Sequence, residues 1–271
     1  MEWSKLKNIV LLILAATNLC LLMFVLQQEW GELRVQQRTR ANAVEFLAQR
    51  GITVMEEQIP STQQLLPRTV ERDLEDEGAA AAALLQGEVS VESLGGEVYR
   101  YFNENGSVRF HSDGVFSAEF AAGSIPAGDD REQTGLEVLG RMGFEGELMS
   151  HAEDRMVFRQ LWQEYPLFSQ QVTLVWEEDC LSAMVGGRRL MGEPAQDSSR
   201  TPLTEATALI RFRNGLDGLG DVCSRIESIA QGYVSVTSLT GPMALSPVWR
   251  IVTDTGVYQM DLLTGALSRV V

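Results

Sequence analysis

Two histidines, three cysteines and 37 acidic residues are what this 271-residue chain offers for chemistry. A metal centre or a nucleophile–base pair needs several such side chains to converge. His111 and His151 fall in different stretches of strand-like sequence, and His111 precedes an Asp113-Gly114 turn signal, so it reads as a strand-edge residue. Cys20 lies in an apolar run, while Cys180 and Cys223 belong to no Cys-x-x-Cys pair and would have to meet in space to bridge. The acidic stretch ERDLEDE (Glu71 to Glu77) raises calcium, but it lacks the Asp-x-Asp-x-Asp-Gly loop and reads as a solvated face. GLDGLGD (Gly215 to Asp221) follows a helical pattern rather than opening one, so it reads as a turn and not as a phosphate cradle. HExxH, GxSxG, GxxxxGK(S/T) and a strand-borne GxGxxG are all missing from the sequence. Acids are plentiful enough for glycoside chemistry, yet nothing singles out a pair. The residues therefore point away from an enzyme, with no catalytic residue, no cofactor and no metal site.

Charge narrows the partners. Lys5 and Lys7 are the only lysines, and the part of the chain after residue 26 carries 20 arginines against 36 acids, a net charge of −16. Such a surface is repelled by nucleic acids and by anionic polymers, so nucleic-acid binding is not expected.

The elements that would position any site begin with an uncharged run from Asn8 to Leu26, broken only by Asn8, Thr17 and Asn18. Nineteen residues at about 1.5 Å each cross a hydrocarbon core of roughly 30 Å. The run exceeds a signal-peptide core, and the following QQEWGELR offers no Ala-x-Ala cleavage site. Trp3 and Trp30 bracket it, about 40 Å apart on a helix, the spacing of the two headgroup zones where tryptophan sits. A retained single-pass anchor is expected over 8–26, with residues 1–7 cytoplasmic and the long C-terminal part extracytoplasmic. Asn18 sits mid-span with Leu11, Leu14, Ala15, Leu22 and Val25 on its face. An amide in hydrocarbon is better off bonded across a helix–helix contact, and Ala15 permits close approach, so this face is the expected contact for a partner helix.

Beyond the run, residues 27–50 read as a helical juxtamembrane stalk ending at Gly51, and ITVMEEQIP (52–60) reads as a strand. EGAAAAALLQG is a short alanine-rich helix. EVYRYFNENGSVRFHSDGVFSAEF alternates and turns at Asn105-Gly106 and Asp113-Gly114. GSIPAGDD (123–130) has the composition of a linker. A helix follows in REQTGLEVLGRMG, then strands around Met156–Trp162, Leu167–Trp176 and Cys180–Met191, then a helix capped by Thr204, and a closing strand–turn–strand. Tyr99-Arg100-x-Phe102 lines up with Trp249-Arg250-x-Val252, with Gly106 matching Gly256 and Phe110 matching Met260. An internal duplication of a helix-plus-antiparallel-sheet unit explains the echo. The expected class is α+β, with ectodomain 1 over 51–122 and ectodomain 2 over 131–271.

With these residues in place, the chain resembles the YycI family of membrane-anchored regulators. MEWSKLK is similar to that family's Met-Asp-Trp-Ser-Lys-Thr-Lys start, with Glu2 and Leu6 in place of the usual Asp and Thr. FLAQRGITV (46–54), YPLFSQQVTLVWEEDCLSAMVG (165–186), and IESIAQGYVSV followed by PVWRIVTDTGVYQMDLLTG resemble its helix-into-strand entry, its central strand pair and the closing unit it shares with YycH and PepSY-like domains. The resemblance implies a non-catalytic protein that contacts the transmembrane helices of the sensor histidine kinase WalK (YycG), beside a YycH-like sister, in control of cell-wall metabolism. It also admits a membrane-tethered PepSY-like modulator of an extracytoplasmic protease or wall enzyme.

Overall fold

The computed structural model describes residues 38–270 apart from 63–64 and 238–241, together with Leu14, Thr17, Asn18, Leu19 and Met23 in the N-terminal part. Residues 38–49 form helix α1. After a bridge between Thr53 and Arg225 and a single 3-10 turn at Glu56–Gln58, the chain forms β1 (Arg68–Val70) and α2 (Leu74–Leu84). A four-strand meander follows: β2 (Ser90–Gly95), β3 (Val98–Asn103), β4 (Gly106–Phe110) and β5 (Val115–Phe120). Helix α3 (Arg131–Arg141) leads into β6 (Gly146–His151), β7 (Arg155–Trp162), β8 (Tyr165–Glu177) and β9 (Cys180–Arg188). After β10 (Pro194–Gln196), α4 (Glu205–Leu219) leads into β11 (Ile226–Val236), β12 (Met243–Thr253), β13 (Gly256–Asp261) and β14 (Leu267–Val270).

The α+β class is as expected, and one unit, a helix followed by an antiparallel four-strand meander, occurs three times in succession. The stretch read as ectodomain 2 contains two of the three. The echo seen in the sequence is a true register match between the first unit and the third: Tyr99 pairs with Phe110 as Trp249 pairs with Met260, and Asn103 with Gly106 as Thr253 with Gly256. All three middle hairpins turn over two residues, Glu104-Asn105, Gln163-Glu164 and Asp254-Thr255.

Helices α2, α3 and α4 each start at a cap that the sequence supplies. Asp73 accepts from the N–H groups of Glu75 and Asp76, Asp130 from those of Glu132 and Gln133, and Thr204 from that of Thr207. Units one and two join through their last strands, β5 against β9, into one antiparallel sheet ordered β2-β3-β4-β5-β9-β8-β7-β6. Both helices bury against one face of it, around Tyr101, Phe116, Val138, Phe158, Leu174 and Trp176. Ile125 and Ala127, from the segment read as a linker, belong to the same cluster, and Pro126 bridges to Cys180.

The third unit attaches by a parallel contact of β11 with β8, Tyr233 opposite Leu167. Its core gathers Leu209 and Phe212 of α4 against Trp249, Ile251 and Tyr258, with Ala43 and Leu47 of α1 buried in the same cluster. The 27–50 stalk is therefore, over its described part, a docked helix rather than a free spacer. Arg40 fastens it by donating from Nη2 to the carbonyls of Glu56 and Ile59.

Three local readings need correction. Residues 52–60 form a bridge and a 3-10 turn rather than a strand: only Thr53 pairs, its N–H donating to the Ser224 carbonyl and its carbonyl accepting from the Ile226 N–H, before the chain turns at Glu56–Gln58. Gly215–Leu219 continue α4 rather than forming a turn. Gly215 is where the helix lies against β14, since an added Cβ would come within 2.6 Å of the Leu267 Cβ. The 71–77 stretch is not a uniform solvated face: Asp73 caps α2, and Glu77 is 1% exposed.

Candidate functional site

The loop after β9 crosses the junction of the units and forms the floor of a cleft of about 270 Å³. Asp73 and Asp76 from the start of α2, Glu145 after α3, Trp162 at the end of β7, and Arg189 and Glu193 surround it. Arg189 is 5% exposed, and its Nη2 donates to Asp76 Oδ2 at 2.6 Å while Nε donates to the Leu190 carbonyl at 2.8 Å. Its guanidinium carbon lies 5.5 Å from the centre of the Phe110 ring, and its Nη1 is buried with no hydrogen-bond partner among the described residues. Buried Gln160 accepts from the Leu190 N–H at 3.0 Å, which fixes the loop to β7. Arg68 covers the Trp162 ring at 4.7 Å, and Trp162 meets Tyr233 edge-on at 5.9 Å. The cleft is a joint in which side chains from units one, two and three are locked, with an acidic rim suited to a basic or polar group. Its described lining residues include no Ser, Thr, Cys, Lys or His side chain.

The histidines stay apart: His111 sits half-buried at the β4–β5 turn and His151 is exposed at the end of β6. Among the described residues no group of three His, Cys, Asp or Glu side chains could hold a metal ion. Cys180 and Cys223 are both free thiols, one opening β9 and the other preceding β11. Burial, with Asp254 nearby, pushes the Cys223 thiol up to about 11. Since the thiolate is the reactive form, at pH 8 it is about a hundredfold scarcer than for a thiol at its ordinary value of 9.0. In a Cys20→Ser, Cys180→Ser background, iodoacetamide alkylation of the folded chain at pH 8 is therefore expected to be about a hundredfold slower than in urea. Its rate should keep rising up to about pH 11, and a plateau near pH 9 would contradict the assignment.

Of the face expected to meet a partner helix, Leu14 and Asn18 are helical and exposed, one turn apart. Leu11, Ala15, Leu22 and Val25, and the bracketing Trp3 and Trp30, lie outside the described residues. Among the described residues no helix is long and apolar enough to cross a membrane.

No family model and no curated protein matches the sequence. Among solved structures, the chain is similar to an uncharacterized protein from Eubacterium rectale, at 12% identity and a TM-score of 0.41 over 76% of this chain and 85% of that one. It is likewise similar to the C-terminal domain of Bacillus megaterium YpeB, at 10% identity and a TM-score of 0.38 over 75% of this chain and 99% of that domain.

Proposed function

We propose that this chain is a non-catalytic, membrane-anchored regulator of a two-component sensor histidine kinase of the WalK (YycG) type, built like YycI on PepSY-like units. In this reading residues 8–26 pack beside the kinase's transmembrane helices through the Leu14–Asn18 face. The three-unit domain lies on the extracytoplasmic side. The observation that carries the reading is the seating of α1: Leu47 is fully buried in the third unit's core and Ala43 is 3% exposed. In this reading a helix clamped into the domain can pass a displacement, through residues 27–37, to the run. A free tether cannot. The regulator shifts the kinase only by contacting one of its two states better than the other, and 1–3 kcal/mol of difference changes the balance about 5–150-fold.

The test is affinity purification from detergent-solubilised membranes of the native host. It compares the natural chain with one whose residues 8–26 are replaced by an unrelated transmembrane helix, and with Asn18→Leu. A sensor kinase is expected with the natural chain and not with the replacement. Asn18→Leu should recover about 5–30-fold less kinase, the loss of one interhelical hydrogen bond of about 1–2 kcal/mol. Recovery of a protease or wall enzyme with both anchored forms, and of kinase with neither, would replace this reading by a tethered modulator.

A further inference from the structure

The faces of the two sheets that carry no helix meet at one aromatic ring. Phe158 points to the helices of the large sheet, so its neighbour Arg159 lies on the opposite face. Trp249 and Ile251 point to α4, so Arg250 between them also lies on the helix-free side. Phe168 of β8 stands at the seam, with the guanidinium carbon of Arg250 4.1 Å and that of Arg159 5.2 Å from its ring centre. Gly232 of β11 makes room for this ring.

The pair is poorly answered by the fold. Arg159 reaches Glu147 at 2.7 Å, but that carboxylate is 46% exposed at the sheet's edge. Arg250 makes no ion pair among the described residues, and its one side-chain partner there is the neutral amide of Gln259 at 3.2 Å. The Nε atoms of both arginines are buried without a hydrogen-bond partner there. Burial pulls the Arg250 guanidinium down from its ordinary range, and Arg159 pulls it further. In a chain with 37 acids and 22 basic residues, two arginines gathered on one aromatic ring without an interior carboxylate are the reverse of what charge balance alone would produce. Guanidiniums held against an aromatic ring keep their planar donor edges in fixed positions, and those edges match the paired oxygens of a carboxylate or phosphate.

We propose that the seam between the second and third units binds an oxyanion, a carboxylate or phosphoryl group presented by a ligand, between Arg159 and Arg250, with Phe168 as the platform that aligns them. The site goes beyond the membrane contact proposed above and depends on neither the anchor nor the kinase. It joins residues 91 positions apart, so an occupant would tie units two and three together across their parallel contact.

The full chain in detergent micelles, labelled at arginine Nε, is titrated with sodium acetate and with sodium phosphate at constant ionic strength against sodium chloride. The Nε–H signals of Arg159 and Arg250 are expected to shift saturably with at least one oxyanion and not with chloride. In Arg159→Gln, read at Arg250, and in Arg250→Gln, read at Arg159, half-saturation should need at least tenfold more of that ion. Saturation by acetate alone assigns a carboxylate ligand, and saturation by phosphate alone a phosphoryl group. Both readings keep the proposal. An unsaturable response of the natural chain to both ions overturns it without recourse to a variant, as does an unchanged half-saturation in the folded variants.

Discussion

Replacing Glu77 by alanine is expected to cost the folded chain about 3–5 kcal/mol, the usual penalty for leaving one member of a buried ion pair behind. Glu77 is 1% exposed on the inner side of α2, and its two oxygens accept from Arg72 Nε at 2.7 Å and Nη2 at 2.9 Å. Arg72 is further fixed by donating from Nη1 to the Glu97 carbonyl at 2.8 Å and by lying 5.3 Å from the centre of the Tyr99 ring. Burial alone would pull the Arg72 guanidinium down, but the bond to Glu77 and its charge outweigh that and hold it above its ordinary value. Without the carboxylate, the same burial acts against an unpaired cation. Glu77→Gln retains an acceptor and should lose less than Glu77→Ala. The double change Arg72→Leu, Glu77→Leu removes both charges and should recover most of the loss, because an apolar pair of similar size carries no desolvation penalty. Urea unfolding of the full chain in micelles, followed by far-ultraviolet circular dichroism, measures all three. A loss below about 1 kcal/mol for Glu77→Ala would mean that the pair is effectively solvated.

That pair also marks the limit of what the sequence displays. ERDLEDE reads as a charged surface because seven consecutive residues with six charges suggest solvent, and only the packing of α2 on the sheet selects Glu77 for the interior. Features governed by local chemistry were legible: the Thr204 cap, the span of α3, the turn at Asp113-Gly114 and the paired registers of the first and third hairpins. The middle unit escaped notice as a third copy for two reasons. Its first strand, β6, is an edge strand with mostly exposed residues, as β2 is in the first unit, and neither shows a clean alternation. Its hairpins turn at Gln163-Glu164 and Glu178-Asp179, all with φ between 47° and 69°, a left-handed geometry that normally announces itself through Asn or Gly. The cleft around Arg189 and the Arg159–Arg250 pair were invisible for a different reason. Their members come from separate units and meet only through inter-unit strand contacts, for which no short-range pattern exists.

The joint between the second and third units rests on one missing side chain, and restoring it should open the joint. A Cβ at Gly232 would lie 2.3 Å from the Pro166 carbonyl oxygen, 2.8 Å from Phe168 Cε2 and 2.9 Å from Pro166 Cγ. The oxygen belongs to backbone held by the pairing of Leu161 with Pro166 and Trp162 with Tyr165, so it cannot swing aside as a flexible side chain would. Gly232→Ala must therefore push β11 away from β8 at the parallel contact where Tyr233 faces Leu167. The expected loss is about 1–3 kcal/mol or more, the range for forcing atoms into a filled interior. The place of the loss is as telling as its size. The Ser235 N–H donates to Ser169 Oγ at 2.7 Å across this contact, two residues beyond Tyr233. Its hydrogen exchange should quicken about 5–150-fold if the opening is local, the rate equivalent of that energy. Amides of the β12–β13 hairpin, which lies on the far side of β11, should keep their protection relative to global unfolding. Equal acceleration in both places would mean that the third unit cannot loosen from the second without unfolding. Unchanged exchange at Ser235 would mean that β8 and β11 are not in contact there.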